Sequence, residues 1–163
     1  MSLFQFLASD NPLDELDNPF KEVISINEAL EKKIKIADFI LNDTKINRNE
    51  KNILFFESED YLGELKITNN TYYSIEYCKK YSKKQYFAEL KFHYTKLRAE
   101  HLFKYIANQI NAVIEIEVWN IWLNDDRLKT TKTVNINELK LTDLAFLDSV
   151  NGYNGPECLI IQK

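Results

Sequence analysis

The chain has 163 residues, is 45% hydrophobic and 28% charged, and carries a formal net charge of −4 with a pI near 5.3. A domain of this size removes roughly 70% of its unfolded surface from water, so its core needs neither disulfides nor metal. The acidic balance argues against a dedicated nucleic-acid binder, which must neutralise phosphates with a basic surplus or a strong basic face.

The start, MSLFQFLASDNPLDELD, has no basic leader, and its apolar run from Leu3 to Leu7 is broken by Gln5 and followed by acids, so no signal peptide is expected. No apolar run approaches the roughly 18 residues of a membrane span. Turn signals at Asn11-Pro12 and Asn18-Pro19 precede Ser25 and Glu28, whose spacing matches a capping box opening a helix over INEALEKKI. NILFFES and GELKITN then predict two strands joined through Glu59 to Leu62 as a hairpin. Around residues 74 to 84 a short helix is expected, with Tyr77, Cys78 and Tyr81 inward and lysines outward.

From Tyr86 the hydrophobic period changes cleanly from element to element. QYFAELKFHY predicts a strand. In TKLRAEHLFKYIANQINAV the recurrence of Leu97, Leu102, Phe103, Ile106, Ile110 and Val113 marks the apolar stripe of a helix. IEIEVWNIWL predicts a strand with Ile114, Ile116 and Val118 on one face. The alternation changes phase after Trp119, and a bulge or a change of environment near Asn120 would account for it. A polar turn over Asn124 to Arg127 leads into KTTKTVNINEL, a strand with Val134 and Ile136 inward. Thr142 is placed to cap a short helix, and ECLIIQK ends the sequence as a strand.

This order, strand, helix, strand, strand, helix, strand, is that of a ferredoxin-like βαββαβ unit over 86–163, within an α+β fold. Residues 1–85 supply an N-terminal helix and hairpin that cover or extend the sheet, and 1–163 is read as a single domain. Leu159 and Ile161 face one way in the last strand and Cys158 and Ile160 the other, so both faces of the sheet are apolar and helices on one side cannot cover both. Cover by the chain itself is expected ahead of a partner or ligand.

Residues 72–105 hold eight basic side chains against three acidic ones, interleaved with tyrosines. Nucleic acid remains disfavoured, because the strand KTTKTVNIN lacks the stacking aromatics of an RNA-binding sheet. His93, His101, Cys78 and Cys158 have no metal-ligand spacing, and Asp10, Asp14, Glu15 and Asp17 lack the glycine and alternating ligands of a calcium loop. No nucleophile elbow or phosphate loop is present, so no catalytic residue, metal or cofactor is assigned. Two carboxylates would serve as acid and base only where burial drives their pKa values apart. The preferred binding surface is WNIWLNDD: Trp119 and Trp122 point to opposite faces of a regular strand, Asp125 and Asp126 supply charge at its edge, and Tyr77 and Tyr81 join the candidate set. The bland alternative is that both indoles are simply buried.

The start MSLFQFLASDNPL and the ending PECLIIQK resemble those of small uncharacterised bacterial cytoplasmic proteins over most of the chain, a resemblance that implies no function and no site. The leading expectation is a non-enzymatic cytoplasmic interaction or regulatory protein of the immunity kind, binding a protein partner or a second copy of itself. The comparison rests on size, charge and location. The alternative is a small-molecule-binding or enzymatic domain with a pocket between the sheet and the N-terminal region.

Overall fold

In the computed structural model the described residues are 3–62, 65–69, 72–148 and 153–163. The chain divides into two compact units, Met1–Asn18 with Gly63–Lys163, and Pro19–Leu62.

The first unit is α+β and is built on a six-stranded sheet. Its strands are β1 (Leu3–Ser9), β4 (Lys66–Asn69), β5 (Tyr86–Lys91), β6 (Glu115–Trp122), β7 (Thr130–Asn135) and β8 (Glu157–Gln162), in the order β4-β5-β1-β6-β8-β7. Neighbours are antiparallel except β7 and β8, which run parallel. On one face, helix α4 (Lys96–Gln109) and a 3-10 helix (Leu141–Leu147) cover Leu7, Ala88, Leu90, Ile116, Val118, Leu159 and Ile161. On the other, helix α3 (Tyr72–Tyr81) sets Ile75, Cys78 and Tyr81 against Phe6, Ala8, Phe87, Trp119, Ile121 and Cys158. Each large side chain buried in these layers contributes about 1.5–3 kcal/mol of transfer free energy. The two-sided apolar sheet is therefore lidded on its second face by the chain's own α3.

Several local expectations hold. The expected helix forms as α4, with Leu102 and Ile106 of its apolar stripe buried along it and Ile110 and Val113 buried just past its end; the Thr95 side chain, not assigned a role from the sequence, caps it by accepting the Arg98 N–H at 3.2 Å. Leu97 departs from that stripe and is half in solvent, since it lies on the first turn. β8 alternates as expected, with Cys158 on the α3 face and Leu159 and Ile161 on the α4 face.

The pairing differs from a ferredoxin-like sheet. That arrangement places the strands corresponding to β6 and β7 side by side and β5 between β7 and β8, whereas here β8 lies between β6 and β7, and β5 lies between β4 and β1. Side-chain chemistry explains the order. β1 and β8 are apolar on both faces and need neighbours on both sides, while TTKTVN of β7 is exposed over its first four residues and suits an edge. The hairpin between NILFFES and GELKITN does not form either, because β4 pairs with β5, and Leu65 and Ile67 enter the α4-side core. β6 carries no bulge: its register with β1 is continuous from Ile116 to Trp122. The apparent phase change arises because the polar Asn120 interrupts the apolar α4 face of β6 while the α3 face carries Trp119 and Ile121. Ile114 precedes the strand and is largely exposed. The last short helix is 3-10, begins at Leu141 and is not capped by Thr142. Instead the Asp143 carboxylate accepts the Lys140 N–H at 2.8 Å.

The second unit pairs β2 (Glu22–Ile24) with β3 (Ile53–Phe55) and contains the short helices α1 (Ile26–Glu31) and α2 (Asp38–Leu41). The expected capping box is present. Ser25 Oγ accepts the Glu28 N–H at 3.2 Å, and Glu28 accepts the Ser25 N–H at 2.7 Å. That backbone donor, with Lys51, holds the Glu28 carboxyl down near about 2. At the other end the Ile34 N–H reaches Ala29 O at 2.9 Å and the Lys33 N–H reaches Leu30 O at 3.0 Å, which places Lys33 in the left-handed region at φ 59°. A Cβ is disfavoured there, so Lys33→Gly is expected to stabilise this unit by about 1 kcal/mol. Hydrogen exchange of the Ile34 amide checks it, slowing by roughly fivefold if the strain is relieved.

Candidate functional site

Because β6 is regular, Trp119 and Trp122 do lie on opposite faces of the sheet, with different fates. Trp119 is 3% exposed. Its ring stacks on Phe6 at 5.8 Å and 8° and meets Tyr81 at 5.8 Å, and Nε1 donates to Glu117 Oε2 at 2.7 Å. It is core. Trp122 is half-buried at the end of the strand, 5.6 Å from the Tyr153 ring, and its backbone N–H donates to Tyr153 Oη at 2.9 Å. The Trp122 Nε1 is buried and finds no acceptor among the described residues.

Beyond Trp122 the chain turns sharply. The Asp125 N–H bonds Trp122 O at 3.1 Å, and Asn124 takes a positive φ of 65°. The Asp125 carboxylate then organises the loop, accepting Arg127 N–H at 3.0 Å, Nε at 2.9 Å and Nη2 at 2.7 Å. The Arg127 guanidinium is the main reason that this carboxyl sits well below the usual range. Arg127 also lies over the Tyr153 ring at 5.2 Å, and the Tyr153 phenol is pushed up to about 12, chiefly by burial. Gly155, at φ 143°, keeps the adjoining turn against Arg127 and Leu128 in a conformation that side chains disfavour. At the tip Leu128 is 95% exposed.

Tyr81 joins this loop from α3: its hydroxyl donates to Asp125 O at 3.2 Å, and Lys129 Nζ donates to Tyr81 O at 3.0 Å. Burial raises its phenol pKa above the ordinary value. The structure thus brings Trp119, Trp122, Asp125 and Tyr81 to one end of β6. Asp126 is exposed beside them. Tyr77 stays apart and is not the inward residue expected of α3, being 37% exposed with Lys80 Nζ 4.9 Å over its ring.

No protein-family model, curated protein or solved structure matches this chain.

Three residues of the loop cluster escape a reading of the sequence. Arg127 looks like an ordinary turn residue, and Tyr153 lies thirty-one positions from the backbone donor it accepts. Leu128 does carry a signal, a lone leucine within NDDRLKTT, but such a residue more often points inward. In the lysine–tyrosine run, Lys84 is no free surface cation. It bridges Asp10 at 2.9 Å and Glu115 at 2.6 Å. Among the described residues no group of three or more metal-ligating side chains converges, and no helix is long and apolar enough to cross a membrane. Cys78 and Cys158 are buried thiols on the α3 side that form no disulfide, and burial drives the Cys158 pKa upward, so it serves packing rather than nucleophilic attack.

Proposed function

We propose that the protein is a non-enzymatic cytoplasmic interaction or regulatory protein that contacts a protein partner through the β6–β7 loop. The observation that carries this reading is Leu128, 95% exposed at the tip of a loop braced by Arg127, Tyr153 and Trp122. Burying a leucine against a partner contributes about 1.5–3 kcal/mol. Arginine, tyrosine and tryptophan are the residues most often found at energetic centres of interfaces. The Asp125–Arg127 clamp holds the loop in one shape before contact, which lowers the ordering cost of binding. The two reduced, buried cysteines favour a cytoplasmic setting.

Affinity capture from lysate of the source cells, comparing the native chain with Leu128→Asp, tests this. Because Leu128 is nearly fully exposed, the variant is expected to keep its stability within about 0.5 kcal/mol. A protein retained by the native chain and reduced at least tenfold by Leu128→Asp supports the loop as the contact. Equal capture by both chains, or a metabolite copurifying with no protein, ends this reading.

A further inference from the structure

On the α4 side of the sheet one row of Cα partners is polar across four strands: Gln5 on β1, Asn120 on β6, Glu157 on β8 and Thr130 on β7. The first two are satisfied. Gln5 Nε2 donates to Asn120 Oδ1 at 3.1 Å and Leu147 O at 2.9 Å, and Asn120 Nδ2 donates to Phe146 O at 2.7 Å. The Glu157 carboxylate has no hydrogen-bond or ion-pair partner among the described residues, although the residue is half-buried. It lines a cleft of about 280 Å³ between the β7–β8 edge and the 3-10 helix, with Thr130, Thr142, Phe146 and Leu159.

We propose that this cleft binds a small ligand carrying a primary ammonium group, with Glu157 as its counter-ion. Charge decides the sign of the ligand. The other charges lining the cleft, Lys132 and Asp143, neutralise each other at 2.6 Å, which leaves the Glu157 carboxylate as its uncompensated charge. An ammonium presents three donors and no acceptor, and the lining offers a carboxylate and the hydroxyls of Thr130 and Thr142 as acceptors. Phe146 and Leu159 in the lining supply apolar surface for an alkyl stem behind the ammonium. A single carboxylate is too few ligands for a hard metal cation. The volume equals that of about nine liquid waters, which limits the ligand to roughly ten heavy atoms. Burial already raises the Glu157 pKa with no neighbouring cation to oppose it, as expected of a carboxylate lacking its partner. The site is separate from the protein contact proposed for Leu128, and neither reading depends on the other.

The test is an NMR titration of the full chain with butylamine, alongside butan-1-ol and butyrate as neutral and anionic probes of matched size. Butylamine is expected to give saturable shifts at Thr130, Thr142, Phe146 and Glu157, weakened at least tenfold by Glu157→Gln in a chain whose remaining spectrum is unchanged. Affinity of the native chain is expected to rise from pH 4 to pH 7 as Glu157 ionises while the amine stays charged. That second readout decides the matter if the variant fails to fold. Butyrate or butan-1-ol binding as tightly, undiminished binding to the variant, absence of saturable shifts at these residues, or a flat pH profile overturns the proposal.

Discussion

Phe6→Ala is expected to lower the unfolding free energy by about 3–5 kcal/mol, a large part of the 5–15 kcal/mol typical of a domain. Phe6 lies on β1 between β5 and β6 and is fully buried. Its ring stacks on Trp119 at 5.8 Å, meets Phe87 edge-on at 6.2 Å and touches Phe4 at 5.7 Å, so its loss opens a cavity at the centre of the layer beneath α3. Urea unfolding followed by tryptophan fluorescence reads the change. A loss below about 1 kcal/mol would mean that α3 and the remaining aromatics close over the gap, and that this ring is not the anchor of the second face.

The second large effect is electrostatic. Lys84 follows α3, Asp10 follows β1 and Glu115 opens β6, so one ammonium joins three segments distant in sequence. Its side chain is 14% exposed, against 38% for Asp10 and 20% for Glu115. Lys84→Met leaves two carboxylates together without their cation and is expected to cost about 1–3 kcal/mol at pH 7, the lower part of the buried-pair range because water reaches the site. Hydrogen bonds from Lys84 and then Gln162 hold the Glu115 carboxyl below its ordinary 4.5, so its contribution is complete above that value and is lost as pH falls through the folded pKa. For Lys84, burial disfavours the charged form, but Glu115 and Asp10 outweigh it and raise the pKa above 10.5. Its contribution is therefore complete below 10.5 and is lost as pH rises through the folded value. The gap between native and variant stability should be flat from about pH 5 to 10 and narrow at both ends. Denaturant titrations at pH 3, 7 and 11 check this, and a gap equally wide at pH 3 would show that the variant acts through packing.

What could be read from the residues was what residues decide locally. The Ser25–Glu28 box spans four positions and depends on nothing else, and the two-sided character of ECLIIQ is visible in its own alternation. Strand partners were harder, because the central strand β1 pairs with β5 and β6, both distant from it in sequence, and β8 pairs with β6 as well as with β7. GELKITN lies just after NILFFES but pairs with β5, a strand whose exposed edge and apolar face suit it better. LFQFLAS was legible as apolar yet not as a central strand, since a segment buried on both faces loses the alternation that identifies strands. The same loss of contrast affected β6, where the phase change left a bulge and a change of environment as equal alternatives and cover on two faces makes it the latter. For the candidate site, WNIWLNDD marked the right end of the right strand, with Trp119 and Trp122 on opposite faces. It could not show that Trp119 is sealed beneath α3, or that Arg127, Leu128 and Tyr153 supply the exposed cluster, because those contacts join chain segments that only the fold brings together.

The seating of β1 has a kinetic corollary. Its partners run from Ser9↔Tyr86 to Leu3↔Trp122, so closing the sheet requires loops that enclose most of the polypeptide. Ordering such loops is entropically costly before any pairing rewards it, and domains of this kind collapse to the native state slowly. During synthesis β1 must therefore remain unpaired on its β6 side until residue 122 has left the exit tunnel, which leaves an apolar strand without that sheet neighbour throughout the interval.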